Sequence, residues 1–267
     1  CKSYFRKNIF DIKKPDKYIK NLKKTVNKIL LKKISKNDIE RTWSFLNTDY
    51  FRRHSDEEIA WHIELIVKNT PNNAVSIRES KAKGCSELII YQNHRKNIFS
   101  YIANIIDNLN INIVDARIIT LKNNQALDTY LLLDNQGKFI KDTYTLNFLK
   151  EKISEVLNNS NYKINKITKK QTENIASFKN FINIDITKKS DDLLLEVNTL
   201  DHPGLLSKIC ESLDSCDLMV KDAKISTLGE EANDVFVVVS VTKKNYLGDD
   251  ISILKDNIKQ KISELYI

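Results

Sequence analysis

The sequence predicts an α+β protein that contains two copies of one folded unit, and a long internal repeat is the main reason. Residues 111–121 read INIVDARIITL and residues 218–228 read LMVKDAKISTL. Asp115 aligns with Asp222 at an offset of 107 residues, which is far longer than the period of a solenoid repeat. Two small similar domains in one chain favour a ligand-sensing or assembly module over a single catalytic pocket.

Each copy is predicted to run in the order ββαββα, from alternating apolar residues in the strands and apolar stripes on the helices. Ile77 and Ile184 are also 107 residues apart, so the leading strand belongs to the repeat. Each copy ends on a helix, so the leading strand should occupy the sheet position that a trailing strand would otherwise occupy. Four antiparallel strands with two helices on one face form a sandwich of the ferredoxin type. The first copy has predicted strands at 75–80, 87–91, 111–121 and 126–134 and helices at 97–109 and 146–157; the second has strands at 181–187, 193–199, 218–228 and 235–241 and helices at 204–215 and 251–265.

A helical segment is expected ahead of the repeat. Residues 16–34 carry apolar side chains at helical spacing between lysines, which predicts an amphipathic helix. Ser35 opens a second helix with a sequence that resembles a capping box, and Ser55 with Glu58 forms a better one for a third helix. That third helix should stop before Pro71, because proline disfavours the helical conformation at the preceding residue.

The expected organisation follows from these elements. It consists of a helical segment over 1–70, a first copy over 71–158, a linker over 159–178 and a second copy over 179–267. The linker is predicted because its Asn- and Lys-rich sequence has no period.

The net charge of +8 comes from one end of the chain. Residues 1–36 hold thirteen Lys and Arg against two Asp and Glu, whereas the rest of the chain has a balance of −3. Such a leader can bind nucleic acid non-specifically, but its helical pattern favours a solvated helix face, so a nucleic-acid partner is not expected.

The sequence lacks the motifs that indicate a membrane span, secretion, a metal site or a catalytic site. No apolar run approaches the roughly 18 residues that span a bilayer, so no membrane partner is expected. The chain has no signal peptide, its start on Cys1 is typical of a piece of a longer protein, and the cysteines lack zinc or disulfide spacing, which together predict a reducing cytoplasm. The histidines have no catalytic partner at motif spacing, and Glu58 with His62 favours an ordinary surface pair over a metal pair.

A loop in the second copy is the strongest candidate for ligand binding. The sequence DHPGLL at 201–206 joins a strand to a helix. Asp201 can cap the helix, Pro203 fits its first turn, and Gly204 lets a ligand approach the backbone closely. Free N–H groups at a helix start attract a carboxylate, such as that of an amino acid. A capped helix without a ligand remains the alternative, and Asp115 and Asp222 could either bind an amino group or bond to a neighbouring turn.

Two stretches resemble known proteins. The repeat, with its loop at 201–206 and its VDAR and KDAK strands, resembles the ACT domain, an amino-acid-sensing module. The stretch WSFLNTDYFRRHS at 43–55, followed by IAWH at 59–62, is similar to the segment that leads into the first ACT domain of the bifunctional PII uridylyltransferase/uridylyl-removing enzymes. Together these resemblances cover residues 39–267.

The resemblance implies a function for the chain. In that family, a nucleotidyltransferase domain uridylylates the PII signalling protein with UTP and magnesium, an HD-type domain removes the group, and the ACT pair senses glutamine. This chain has neither catalytic signature, so the resemblance implies a regulatory region without catalytic residues or metal ligands, preceded at 1–36 by the tail of the hydrolase region. The alternative is a stand-alone tandem ACT protein that acts through dimerisation.

The resemblance also implies which residues bind the effector. These are Asp201, His202, Pro203, Gly204 and Leu205 on the loop, Val220 and Asp222 on the facing strand, and Ile98, Ile113 and Asp115 in the first copy. The family often has Arg where His202 stands. The first copy's loop at 93–97 lacks the Asp, Pro and Gly. This favours a role for the first copy as a packing partner of the second. ACT domains usually pair sheet edge to sheet edge and place effectors at the seam between them.

Overall fold

A computed structural model describes residues 16–93, 95, 97–159, 181–202, 204–228, 231–242 and 246–264. Within these ranges, four helices precede the repeat: α1 (Asp16–Leu30), α2 (Lys36–Phe45), α3 (Thr48–Arg53) and α4 (Asp56–Asn69). No helix in these described ranges is both long and apolar enough to cross a membrane.

The two copies have the predicted element order. The first contains β1 (Ala74–Ser80), β2 (Cys85–Asn93), α5 (Ile98–Asn108), β3 (Asn112–Thr120), β4 (Gln125–Leu133) and α6 (Thr143–Asn158). The second contains β5 (Asn183–Lys189), β6 (Asp192–Leu200), α7 (Leu205–Ser215), β7 (Leu218–Lys224), β8 (Thr227–Leu228), β9 (Glu231–Ser240) and α8 (Asp249–Ser263).

Strand order confirms the predicted architecture. The first sheet has the order β1-β2-β4-β3, and the second has β5-β6-β9-β7 with the short β8 paired to β9. In both sheets the leading strand lies at an edge beside the second strand, where a trailing strand would otherwise lie. The α+β class with two antiparallel, ferredoxin-like units is therefore confirmed.

The second sheet departs from its prediction at one strand. The sequence predicted a continuous strand over 218–228, but the ladder between β7 and β9 has a bulge between Val220 and Asp222, ends at Lys224, and is followed by renewed pairing at Thr227 in β8. A bulge adds an unpaired residue and turns the strand. The break after Lys224 is a separate irregularity that includes Ser226, whose contact with Asp234 is described below.

The chain forms two compact units. The first comprises residues 1–76, 89–93 and 119–127, and the second comprises 77–88, 94–118 and 128–267. Residues 160–178 of the expected linker lie outside the described residues, and the domain bounds expected from the sequence stay a prediction.

Helix caps in the first unit follow the sequence. The Ser55 hydroxyl accepts a hydrogen bond from the Glu58 N–H at 3.2 Å, and the Glu58 carboxylate accepts one from the Ser55 N–H at 2.7 Å. The capping box is therefore confirmed. Helix α4 ends at Asn69, before Pro71, as predicted.

A buried cluster of Tyr50, His54 and His62 lies in the core of the first unit. The Tyr50 hydroxyl and His62 Nδ1 are 2.8 Å apart, and the two histidine rings lie 4.9 Å apart. His62 is only 1% exposed, so the expected surface pair with Glu58 is wrong, since Glu58 caps α4 instead. Burial, followed by the charge of Glu58, raises the pKa of Tyr50 well above its usual range, so the hydroxyl stays protonated and can donate to His62.

Helices α5 and α7 pack against each other in the second unit. Each begins after a residue in the left-handed region, Asn97 with φ 68° and Gly204 with φ 86°, and neither has a side-chain cap. Each is followed by another left-handed residue, Asn110 or Asp217, with φ 55° in both cases. The repeat is thus conserved in backbone conformation at both ends of these helices.

Candidate functional site

A cavity of about 470 Å³ lies within the second unit, where the end of α5 faces the start of α7. Its volume falls in the range of roughly 300–1,000 Å³ that is usual for small-molecule sites. The lining residues are Asp107, Asn110, Ile111, Asn112, Ile113, Val114 and Asn135 from the first copy and Asp201, His202, Leu205, Leu206, Ile225, Thr227, Ala232 and Asp234 from the second. The lining therefore combines polar and apolar residues from both copies.

The loop between β6 and α7 leaves the start of the helix open to the cavity. Gly204 occupies the N-cap position with φ 86°, and no side chain caps the helix. The expectation that Asp201 caps the helix is therefore wrong. The Leu205 N–H donates to the His202 carbonyl at 2.9 Å, whereas helix geometry gives the N–H groups of Leu206 and Ser207 no acceptor within the helix. Such groups attract a carboxylate.

Asp234 is a buried carboxyl group in the cavity wall. It lies on β9 with only 2% of its surface exposed, and its Oδ1 accepts a hydrogen bond from the Ser226 N–H at 3.1 Å. Burial raises the pKa of Asp234 to about 7; the Ser226 hydrogen bond opposes the rise, and the charge of Asp201 adds to it. A strongly shifted carboxyl group in a cavity is typical of functional sites.

Asp201 is a second carboxyl group in the same cavity. Partial burial raises the pKa of Asp201, while the backbone N–H and the charge of His202 lower it. The charge of Asp201 thus disfavours ionisation of Asp234. A cationic group entering the cavity would relieve this repulsion.

The structure brings together only some of the predicted effector-binding residues. Asp201, His202, Leu205 and Ile113 line the cavity. Gly204 sets the backbone at the start of α7, and Pro203 lies outside the described residues.

The remaining predicted residues lie on other parts of the second unit and do not belong to the described lining of this cavity. Val220 is paired with Val238 on β9, and Asp222 follows the bulge. Ile98 is buried at the start of α5. Asp115 forms an ion pair with Arg117 at 3.2 Å; burial raises the pKa of Asp115 and the charge of Arg117 opposes this rise.

Sequence reasoning missed Asp234, although a signal was present. Ala232, Asp234 and Phe236 alternate along β9 and are all buried, so the carboxyl group faces inward from an apolar strand. Asp128 occupies the matching position of β4 and is 1% exposed. The offset there is 106 residues because the preceding turn is one residue shorter in the second copy, so an alignment held at 107 residues conceals the match.

The arrangement of possible metal ligands bears on the cofactor. Among the described residues, no group of three or more His, Cys, Asp or Glu side chains is placed to hold a metal ion. The magnesium that the resemblance implies belongs to the nucleotidyltransferase domain of the parent enzyme and stays a prediction for that domain.

Comparisons with known proteins agree with the resemblance seen in the sequence. Residues 15–65 match the family model described as the Uridylyltransferase GlnD fifth domain, and this range includes α1 to α3 and most of α4. A bifunctional uridylyltransferase/uridylyl-removing enzyme from Acinetobacter baumannii is 27% identical over 92% of this chain, and one from Vibrio campbellii is 31% identical over 86%. The chain is related to the C-terminal part of the bifunctional uridylyltransferase/uridylyl-removing enzymes.

The match concerns only part of those enzymes. The chain spans 28% of the Acinetobacter baumannii protein and 26% of the Vibrio campbellii protein. Among solved structures, aspartate kinase from Synechocystis aligns with 69% of this chain and 27% of its own length at 14% identity, with a TM-score of 0.39, which is too low to support an argument.

Proposed function

We propose that this chain is a regulatory region that binds free glutamine and controls a bifunctional uridylyltransferase/uridylyl-removing enzyme. The observation that carries the proposal is that Asp201, Asp234 and the start of α7 line one cavity. An amino acid is a zwitterion, and these groups complement both of its charges. The carboxylates accept hydrogen bonds from an ammonium group, and the helix start donates to a carboxylate.

The charge of the cavity favours glutamine over glutamate. Three aspartates, Asp107, Asp201 and Asp234, line the cavity, and its described lining contains no Lys or Arg. A glutamate side chain would bring a further negative charge close to these carboxyl groups, and like charges repel. A carboxamide is neutral and supplies N–H donors. The cavity is therefore expected to discriminate between the two amino acids.

The biological setting of the proposal comes from the relatives. Their names describe uridylyltransferase and uridylyl-removing activities, so we propose that glutamine binding here regulates these activities on PII in the cytoplasm. Pairing of the two ACT copies, within or between chains, would transmit the signal. Because both copies supply lining residues, a ligand in the cavity contacts both and can change how firmly they are held together.

Isothermal titration of the purified 267-residue chain with L-glutamine tests the proposal, with L-glutamate as the competing ligand. Asp234→Asn is the main variant, because it removes the charge from the cavity wall and keeps an acceptor for the Ser226 N–H. Asp222→Asn is the matched control, since it is the same substitution on β7 outside the cavity lining.

We expect L-glutamine to bind at least about tenfold more tightly than L-glutamate. A hydrogen bond to a charged group is worth about 1.5–3 kcal/mol, and about 1.4 kcal/mol corresponds to a factor of ten in affinity. Asp234→Asn should weaken binding by about tenfold or more, whereas Asp222→Asn should change it little. Folded chain that gives no heat with millimolar glutamine would overturn the proposal. Equal effects of the two variants would move the site away from the cavity.

A further inference from the structure

We propose that one face of α1 binds the phosphate backbone of duplex DNA without reading its sequence. Helix α1 belongs to the first unit, and none of its residues is among the described lining of the cavity, so the inference is independent of the proposed function. The sequence favoured a solvated helix face for this segment, because composition alone does not show which way the lysines point. The structure gives their arrangement.

Four lysines form one side of α1, here called the lysine face. They are Lys17, Lys20, Lys24 and Lys28, and all four are exposed. Residues three or four positions apart lie on the same side of a helix, so these side chains leave α1 in a single row. With a rise of about 1.5 Å per residue, the row is about 16 Å long. The helix therefore fixes four positive charges in a line.

The charge of the lysine face is not neutralised by carboxylates. Residues 17–37 contain no Asp or Glu, and none of the four lysines forms an ion pair within the described part of the chain. Lys33 shows the contrast, because it pairs with Glu64 of α4 at 3.4 Å. A surface that carries charges of one sign attracts a partner of the opposite sign. The lysine face thus fits a polyanion.

The positive charge extends from α1 to the turn between β3 and β4. Lys23 follows Lys20 by three residues, so it borders the lysine face. Its amino group lies 4.5 Å from the centre of the Phe51 ring and 5.2 Å from that of the Trp43 ring. Burial, followed by the charge of Lys122, lowers the pKa of Lys23. Lys122 is exposed on the turn, and it widens the surface that a phosphate backbone can contact.

The regular spacing of the lysine face favours a duplex over a single strand. Each strand of a DNA duplex carries a phosphate about every 3.4 Å along the axis, so a row of about 16 Å lies beside about five phosphates. Lysine binds phosphate as a point charge, and phosphate contacts carry no base preference. Single strands also need aromatic rings on which bases stack. Lys23 lies over the Trp43 and Phe51 rings, so these rings do not provide such a platform.

An anionic membrane is the alternative partner for a basic helix. A helix that lies on a membrane buries its apolar side among the lipids. In α1 that side is already occupied, since Leu22, Val26 and Leu30 are buried in the core of the first unit. Lipid binding would therefore depend on charge alone, whereas the row of lysines also matches the regular phosphates of a duplex.

Fluorescence anisotropy of a labelled duplex of about 20 base pairs, titrated with the full 267-residue chain, tests the inference. The logarithm of the affinity falls with the logarithm of the salt concentration, with a slope of about −0.9 for each neutralised phosphate. Four contacts therefore predict that the affinity falls by about a hundredfold between about 50 mM and about 200 mM salt. Two duplexes of unrelated sequence should bind equally well.

Lys20→Gln combined with Lys24→Gln removes two charges from the lysine face. This double variant should bind the duplex more weakly, and its loss of affinity over the same salt range should shrink to about tenfold. Lys20→Arg combined with Lys24→Arg keeps both charges and should bind like the wild type. Lys255→Gln combined with Lys259→Gln is the matched control, because these lysines have the same spacing on α8, and it should leave binding unchanged. Circular dichroism checks folding of each variant.

Three results would overturn the inference. The first is absence of duplex binding by the folded wild type at about 50 mM salt. The second is the same affinity and salt dependence in the wild type and in the Lys20→Gln, Lys24→Gln variant. The third is sedimentation of the chain with phosphatidylserine vesicles without duplex binding, which would assign the lysine face to a membrane surface. None of these results alters the proposed function, which glutamine titration tests separately.

Discussion

Asp201 and Asp234 line one cavity, and the negative charge of Asp201 adds to the burial that raises the pKa of Asp234 to about 7. Burial is the larger cause, and the Ser226 N–H opposes both. Near neutral pH, Asp234 is therefore divided between its protonated and ionised forms. A cationic ligand would favour the ionised form, so occupancy of the cavity and protonation of Asp234 are coupled.

The first prediction is that Asp234 makes the stability of the ligand-free chain depend on pH. An unfolded Asp has a pKa of about 3.9, so the folded chain holds the proton more tightly than the unfolded chain between about pH 4 and pH 7. The free energy of unfolding that Asp234 contributes thus falls as the pH rises through this window. The full decrease is on the order of 4 kcal/mol.

Urea denaturation of the wild type and of Asp234→Asn at about pH 5 and about pH 8 measures this effect. The variant should gain stability relative to the wild type as the pH rises, because its amide does not ionise. Asp222→Asn should follow the wild type. Parallel pH profiles for the wild type and Asp234→Asn would show that burial does not shift this pKa.

The second prediction is that glutamine binding releases a proton near neutral pH. The ligand's ammonium group should stabilise ionised Asp234 and lower its pKa. The apparent affinity should therefore rise with pH up to about 7 and then level off. Titration calorimetry in buffers of different ionisation enthalpy reports the proton directly. An identical binding enthalpy in all buffers for the wild type would contradict the prediction, and Asp234→Asn should show a smaller buffer dependence.

Local sequence patterns predicted most of the helices and strands, because nearby residues determine where these elements begin and end. The capping box at Ser55 and the end of α4 before Pro71 depend only on nearby residues. The repeat predicted that both sheets have the same strand order, since two copies of one sequence pattern are expected to fold in the same way. Helix α3 (Thr48–Arg53) was missed because six residues are too few to show a helical period.

The candidate site was less predictable because it depends on contacts between distant residues. The resemblance indicated Asp201 and Leu205, which lie four residues apart, on the loop after β6 and at the start of α7. Asp234 lies in the middle of an apolar strand, and only the folded chain brings it to that loop. The break between β7 and β8 has the same origin, since the Ser226 N–H bonds to Asp234 and the Ser226 carbonyl accepts from Asn233 at 2.8 Å.

The third prediction concerns the hydrogen bond between Tyr50 and His62. Tyr50→Phe removes the hydroxyl and leaves His62 Nδ1 without this partner in the core, so it should cost about 1–3 kcal/mol of unfolding free energy. Urea denaturation measures the loss. Tyr144→Phe is the matched control, because Tyr144 is 76% exposed and should tolerate the same change. Equal stability of the two variants would mean that the Tyr50 contact contributes nothing.

The fourth prediction separates the conformational role of Gly204 from its place beside the cavity. Its φ of 86° disfavours residues with a side chain, most strongly β-branched ones. Gly204→Val should therefore destabilise the fold by about 1–2 kcal/mol or more. Gly204→Asn should cost less, because the first copy accommodates Asn97 in the same conformation. Chemical denaturation ranks the two variants.

Glutamine titration of the same variants separates the two roles of Gly204. If Gly204 matters only for backbone conformation, Gly204→Asn should bind glutamine nearly as well as the wild type. If it also allows close ligand approach, Gly204→Asn should fold well and bind at least about tenfold more weakly, since about 1.4 kcal/mol corresponds to a factor of ten. We expect the second outcome, because Leu205 and His202 on either side of this turn both line the cavity, and any side chain at Gly204 adds atoms next to them.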